Sequence, residues 1–556
     1  MSKITLQEAL NCPEPVGLDL ETTGLQWWKD SPLICGLANK EFSGYFDFRE
    51  YTPEILSQFF KDFFKTHRVV LQNAKFDFHF IDRFYQINSI DDIKYVDTML
   101  ISQIIDENAS HKLESLTDLY LGPNCSIKKR MVNDYAKEHK IKSFGQIPIE
   151  LLAERVEEDA FNTFSIYELI RSKLKEKKVY ELEKKLLIVL LKMERNGALI
   201  DKEYLLILKK DIEYLMGQYE EKYPDVDLNS GDQVGKLLFQ DLGITPTVFT
   251  EKRKVPATDA KTLSEINHPV AKEVTEYRNL QHTLSTYVNG FLDLLDLNNL
   301  LHCKFNQMGA RTGRMSCVDP NLQQLPTEGR SGKWIRSAFI GNITTFDYSQ
   351  MEGILYAYDN HEEGMIKAIE NNIDIYRYLA SILYAKDFDA IIREERNLCK
   401  SIFLGRIYGM GDRKFISMSK GLNPKASKKF FGKLKEAHEL ATNKIETYGY
   451  IETIIGRRRH LPLSAAYKGV NARIQGSAAD IIKTAMINLP NSISNKMICQ
   501  VHDELVFMGL EENEKKVISE IMCDFSPYKL RVDSGSGKNW WEAYEAKENK
   551  GKVINE

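Results

Sequence analysis

GLDLETTGL, residues 17–25, sets two carboxylates, Asp19 and Glu21, into a short apolar run that ends at a glycine. In a strand, residues two apart face the same way. Leu18 and Leu20 then take one face while both acids crowd the other. Like charges that close are costly unless something positive lies between them. Two further acids are as oddly placed. VVLQNAKFDFHF (69–80) reads as a strand running into a helix capped by Asn73, with Asp77 among Phe76, Phe78 and Phe80. LLAERVEEDAFNTFSIYELI (151–170) reads as a helix with Val156, Ala160, Thr163 and Tyr167 on one stripe, and Asp159 falls on that stripe.

One buried acid is ordinarily a satisfied core hydrogen bond, and Asp77 alone would be read so. Four acids at apolar-side positions call for a shared cause. Two Mg2+-class ions held ~4 Å apart would neutralise them and activate water against a phosphodiester.

The theme returns later in the chain. ITTFDYSQMEG (343–353) runs an apolar strand into Asp347, and MICQVHDELVF (497–507) sets His502, Asp503 and Glu504 between apolar runs, as a hairpin with acids at its tip. A plain hairpin prefers Asn-Gly or Asp-Gly there, so Asp347 and Asp503 are expected to face each other across a second metal pair. Between them lies RNLCKSIFLGRIYG (396–409), with Arg396, Lys400, Leu404 and Tyr408 spaced by four. They span ~18 Å of one helix face, the length of a nucleoside triphosphate, with cations at one end and an aromatic at the other. Gly405 and Gly409 leave space beside that aromatic. An ordinary amphipathic helix would bury Leu404 and Tyr408 and snorkel the two cations; the helix alone leaves both readings open.

The chain has 556 residues, enough for two to four domains. It is 43% hydrophobic and 28% charged, as soluble globular proteins are, and its longest aliphatic run is far too short to cross a bilayer. The N-terminus has neither a signal-peptide core nor a transit pattern. Eight scattered cysteines, none in a CxxC pair, read as reduced thiols in a cytosolic protein. The net charge is −4, yet Arg393–Arg473 holds 18 Lys/Arg against 7 Asp/Glu, a basic block that suits a polyanion. KASKKFFGKLKE (425–436) reads as a solvated helix face, whereas the arginines near 396 and at 457–459 read as ligand-seeking. The pattern is an α/β region over 1–175, helices from about 178 to 298, then a second α/β region with helices inserted over 361–445.

DYSQME, R-x3-K-x7-YG and VHDELVF, in this order, resemble the three polymerase motifs of family A DNA polymerases. DLETTGL, NAKFD and EEDA resemble the motifs of the attached 3′–5′ proofreading exonuclease. LLKMERNGALID (190–201), TGRMSCVDPNLQQLP (312–326), GRRRHLP (456–462) and NARIQGSAADIIKTAM (471–486) are also similar to family segments. The nearest comparison is the Klenow-like large fragment of bacterial DNA polymerase I. With no room ahead of Asp19 for a 5′-nuclease domain, a phage-type or stand-alone enzyme is expected. The resemblance implies an α/β multidomain fold: an RNase H-like exonuclease domain (1–175), then a right-hand polymerase. That hand has a thumb (176–300), a palm in two parts (301–360 and 450–556) and fingers (361–449).

The resemblance also implies roles. Asp347, Tyr348 and Asp503 would hold two Mg2+ at the polymerase site, and Asp19, Glu21 and Asp159, with Asp77, two more at the exonuclease site; Mn2+ can substitute. Glu504 would support the polymerase metals. Arg396 and Lys400 would meet the triphosphate, Lys400 also protonating the leaving group, and Gln350, His502, Leu404 and Tyr408 would complete the dNTP site. Glu352 would block a ribose 2′-OH. Arg314, Asn321, Gln323, Arg457, Asn471 and Gln475 would contact primer–template DNA, several of them through minor-groove acceptors common to every Watson–Crick pair. The implied partners are primer–template DNA, dNTPs and an accessory replication protein, for a monomer in bacterial or phage-infected cytoplasm.

Three positions depart from the family pattern. Leu404 replaces an aromatic, so the ratio of dideoxynucleotide to dNTP incorporation is expected to differ, and Leu404→Tyr to change it. Arg155 stands where the exonuclease motif has Tyr; with all four metal-binding acids present, proofreading is expected to survive, at a slower rate. Tyr467 replaces an Arg, with Lys468 beside it as a substitute DNA contact. The rival readings are a single-subunit RNA polymerase, a catalytically decayed DNA-binding protein, and an exonuclease whose second half only clamps DNA. Glu352, the full set of metal acids, and the Arg396–Lys400–Tyr408 face weigh against each in turn.

Overall fold

The structure is a computed structural model that describes residues 2–85, 93–123, 125–419, 422 and 430–553. Its first region is built on a five-stranded sheet of order β3-β2-β1-β4-β5: β1 (Val16–Thr22), β2 (Pro32–Ala38), β3 (Ser43–Asp47), β4 (Val69–Leu71) and β5 (Tyr95–Asp97). β1 pairs antiparallel with β2 and parallel with β4. Both faces are covered, so β1 is buried along nearly its whole length rather than alternating. α1 (Ala74–Tyr85) follows β4. The amides of Asn73 and Ala74 donate to the Asp97 carboxylate, so the acid that caps this turn comes from β5 and not from Asn73, a correction to the sequence reading. Asn73 instead takes a positive φ of 64°.

α2 (Ile149–Ile170) lies directly on β1 and β2. Two glycines permit this. A Cβ on Gly17 would sit 2.1 Å from the Ala160 carbonyl oxygen, and one on Gly36 would sit 2.6 Å from that of Val156. Gly36 is the cross-strand partner of Asp19.

α3 (Lys177–Asn196) stitches the two halves of the chain together through two buried glutamates. Glu194 receives Lys75 and His79 from α1, and accepts the Phe305 amide. Glu183 receives Arg457 and Lys483 at 2.5 Å each. Beyond it lie a long helix, Lys202–Lys222, and a helical run from Pro269 to Leu294.

The second sheet has the order β7-β8-β6-β9: β6 (Ile340–Tyr348), β7 (Met497–Val501), β8 (Glu504–Met508) and β9 (Val532–Asn539). The inserted helices include Ile375–Tyr384 and α4 (Arg393–Ile407), which ends one residue before Tyr408. Residues 425–429 of the expected Lys-rich face lie outside the described residues; 434–436 begin the helix Leu434–Tyr448. α5 (Gly469–Asn488) packs against α3, and α6 (Trp540–Val553) folds back over β9. Gly535 and Gly537 allow that last approach: a Cβ on Gly535 would lie 2.5 Å from the Lys547 nitrogen, and one on Gly537 2.3 Å from the Glu542 Cβ. Trp540 is fully buried, edge-on to Phe339 at 5.1 Å.

Candidate active sites

The first site is a cavity of about 830 Å3 lined by Asp19, Glu21, Asp77, Arg155 and Asp159. Strand alternation points Gly17, Asp19 and Glu21 the same way, and the glycine seats bring α2 close enough for Asp159 to join them. Carboxylate oxygens of Asp19, Glu21 and Asp159 all lie within 4.8 Å of one another. Glu21 Oε1 is buried and answered by the Arg155 guanidinium 2.6 Å away, in a contact that lacks hydrogen-bond geometry. An all-oxygen donor set fits a hard divalent cation.

Burial, reinforced by the neighbouring acids, pushes the Asp19 carboxyl well above its ordinary range. Burial does the same to Asp77 and raises Asp159. It carries Glu21 up to about 7 against the pull of Arg155. The Arg155 guanidinium reaches into the cluster, with Nε 2.6 Å from Glu21 and 3.6 Å from Asp159, one turn further along the same helix.

The second site lies at the end of the second sheet. Asp347 on β6 is the direct cross-strand partner of Glu504 on β8. The β7–β8 turn is His502–Asp503, with His502 at φ 55°, so Glu504 already belongs to the strand and only two of the three expected residues form the tip. The Tyr348 amide donates to the Asp503 carbonyl at 3.2 Å. Burial raises the Asp503 carboxyl to about 6; Arg314 and Lys400 oppose that, while Glu352 and Asp347 add to it.

Glu352 accepts from Arg314 at 2.7 Å and from the Tyr408 hydroxyl, and Arg314 also stands 3.9 Å from Asp503. Gln475 stands near the Tyr408 hydroxyl and opposes the rise in its pKa that burial and Glu352 cause. Leu404 is half-buried at the same end of α4, and a Cβ on Gly409 would sit 3.3 Å from the Tyr467 ring. The space beside Gly405 is taken by Met410.

A cavity of about 630 Å3 opens beside Asp347, lined among others by Arg377, Arg393, Arg396, Lys400 and Lys547. Arg396 grips Asp374 through Nε at 2.9 Å and Nη2 at 2.6 Å. Gln350, left-handed at φ 56°, turns its side chain to the Ile375 amide at 2.8 Å and so ties β6 to the inserted helices.

Several expected site residues have other work. Arg457 is buried on Glu183 and Asp480, so the reading of it as a DNA contact is corrected: it is part of the core ion network with α3. Arg458 pairs with Glu176, and Arg459 with Glu107, tying the two halves together at the surface. The Tyr348 hydroxyl donates to the Met522 carbonyl at 2.7 Å, so its side chain belongs to the core. Asn321 caps a short turn through the Gln323 amide, and Gln323 reaches Gln500 at 2.9 Å. Asn471 is half-buried, and its Oδ1 has no hydrogen-bond partner.

Sequence reasoning missed Lys547. Its Nζ is 3.1 Å from Asp347 and 3.4 Å from Glu504. Among the described side chains of α6, Trp540, Ala543 and Lys547 are buried, so the signal was there: a lysine on an apolar helical stripe, the counterpart of Asp159.

The sequence model of DNA polymerase family A matches residues 202–542, more than half of the chain. The chain belongs to DNA polymerase family A. A second model, described as 3′–5′ exonuclease, matches residues 2–175, the region of the first sheet. DNA polymerase I of Borreliella burgdorferi is 32% identical over 97% of this chain and 63% of its own length. The thermostable DNA polymerase I of Thermus aquaticus is 32% identical over 66% of this chain and 48% of its own. The chain thus spans roughly half to two thirds of these relatives. A solved structure described as the POL domain of Pol1 from M. smegmatis, in complex with DNA primer-template and dNTP, superposes with a TM-score of 0.81. It covers 98% of this chain and 99% of that one at 23% identity, a likeness of fold. That likeness of fold extends over 98% of the chain. Among the described residues no helix is long and apolar enough to cross a membrane.

Proposed function

We propose that this family A chain is a template-directed DNA polymerase that adds dNTPs to a primer 3′-OH with release of pyrophosphate, and that its first region removes mispaired 3′ ends. The observation that carries the reading is the register of the second sheet. Asp347 pairs across from Glu504, with Asp503 in the adjoining turn, beside a cavity lined with arginine and lysine. In this reading residues 1–175 are the exonuclease domain, 176–300 the thumb, 301–360 and 450–556 the palm, and 361–449 the fingers.

Bound at Asp347 and Asp503, two Mg2+ would lower the pKa of the primer hydroxyl and offset charge on the leaving pyrophosphate. The chain's own groups do the rest. Lys400 and Arg396 hold the triphosphate in line, and Arg396 must exchange Asp374 for phosphate to do so. Glu352, fixed by Arg314 and Tyr408, fills the space a ribose 2′-OH would need. Arg314 swings between Glu352 and the minor groove, where Asn471 and Gln475 also read pair geometry. In the first region Asp19, Glu21 and Asp159, with Asp77, would hold cations that would supply an activated water. The primer-template and dNTP named for the M. smegmatis structure are the partners this reading assigns here.

Primer extension with Mg2+ tests it, comparing wild type with Asp347→Ala, Asp503→Ala and Asp19→Ala. The first two should lose synthesis by ~1,000-fold or more, as expected when a transition-state metal ligand is removed. The third should lose only 3′ trimming. Synthesis that survives Asp347→Ala would refute the proposal.

A further inference from the structure

We infer that Lys547 is a positioning residue of the polymerase site: its ammonium is the resident counter-charge of Asp347 and Glu504, and it holds down the affinity of the palm acids for divalent cations. This rests on the reading of Asp347 and Asp503 as that site's metal ligands. Asp347 and Glu504 face each other across neighbouring strands, an arrangement that repels unless a cation lies between them. Lys547 supplies that cation from a segment 200 residues away in sequence, at 3.1 Å from Asp347 Oδ2 and 3.4 Å from Glu504 Oε2, with only 8% of the residue exposed.

The surroundings fix the lysine in this place. Gly535 and Gly537 let α6 lie on β9 with no side chain between, and buried Trp540 anchors the start of the helix. The next residue, Glu548, pairs with Arg393 at the start of α4, 2.9 Å away. The middle of α6 is therefore tied to the palm acids by one residue and to the inserted helices by the next. Arg314 serves Glu352 and Asp503, and Arg336, though it feels Glu504, donates to the Pro326 carbonyl and stacks on Trp540. The ion pairs of Asp347 and Glu504 among the described residues are with Lys547.

Two consequences follow. A divalent ion at Asp347 must share that carboxylate with an ammonium, so its binding is weaker than the acids alone would give. Glu504, held by Lys547, is kept beside the cage rather than in it.

The test is Mn2+ binding to the full chain without DNA or nucleotide, read from the electron paramagnetic resonance signal of free Mn2+. Asp19→Ala and Glu21→Ala are present throughout to silence the first site. In that background Lys547→Met should bind Mn2+ at least about fivefold more tightly, which is what one unit charge a few ångström away delivers even in a water-like dielectric. Lys547→Arg should stay within about twofold, because it restores the charge. Lys547→Gln is the second neutral variant should Met not fold, with thermal melting as the check. An unchanged or weaker Mn2+ affinity in the neutral variant overturns the inference. Asp347→Ala in the same background separates this failure from that of the underlying reading: if it leaves Mn2+ binding unchanged, the palm acids are not a metal site and both fall.

Discussion

The two acid clusters solve one problem differently. In the first, the internal cation is Arg155, on the same helix as Asp159 and one turn before it, so ligand and counter-charge cannot move independently. In the second, the cation is Lys547, brought from the end of the chain onto a strand pair formed elsewhere. The first cluster is also more deeply desolvated. Glu21, Asp77 and Asp159 are only 3–4% exposed, whereas the side chains of Asp347 and Asp503 in the second are 39% and 25% exposed. The comparison teaches that a cation among acids can serve either a site or the scaffold. The distinguishing feature is whether a cavity opens beside the cluster.

Glu183, Arg457, Asp480 and Lys483 sharpen the contrast, because there the charges are fully buried and satisfy one another with no ligand needed. Breaking such a network leaves an uncompensated charge, and Arg457→Ala is expected to cost about 3–5 kcal/mol of stability. Denaturant unfolding would measure it, with DNA affinity per folded molecule unchanged. A variant of normal stability that binds DNA poorly would return Arg457 to the interface.

A smaller effect separates the first cluster from this satisfied network. The Glu21 carboxyl is raised from 4.5 to about 7 in the folded chain, so folding disfavours its charged form. The sign follows from proton uptake: between those values the folded state binds more protons than the unfolded one, and stability falls as pH rises through that window. The metal-free protein should lose about 1–3 kcal/mol from this group between pH 4.5 and 7, and Glu21→Gln should flatten the profile. Added Mg2+ should restore stability above pH 7. Thermal melts in chelator across this range would show it, and a profile identical in wild type and Glu21→Gln would contradict it.

Much of this architecture was legible in the sequence, for local reasons. Acids on an apolar strand or stripe, as at 19, 21 and 159, and a hairpin with acids at its turn announce themselves within ten residues, since periods of 2 and 3.6 decide which way each side chain faces. The remainder depended on partners far along the chain. Arg457 looked ligand-seeking because Glu183, 274 positions earlier, is invisible to any local window. Lys547 answers Asp347 only because β9 places α6 over that acid, a placement no local pattern shows. The cap of α1 came from Asp97 on a neighbouring strand, which no reading of Asn73 could supply. Patterning reveals where a charge is unwelcome; only topology reveals what answers it.

The central claim is that acids remote in sequence converge as two separate cation sites in one chain. Crystals soaked in Mn2+ and measured at the manganese absorption edge test it most directly. The account predicts anomalous density at Asp347 and Asp503 and, apart from it, among Asp19, Glu21 and Asp159. Density at only one of these places, or Asp347 remaining bound to Lys547 alone at saturating Mn2+, would contradict it.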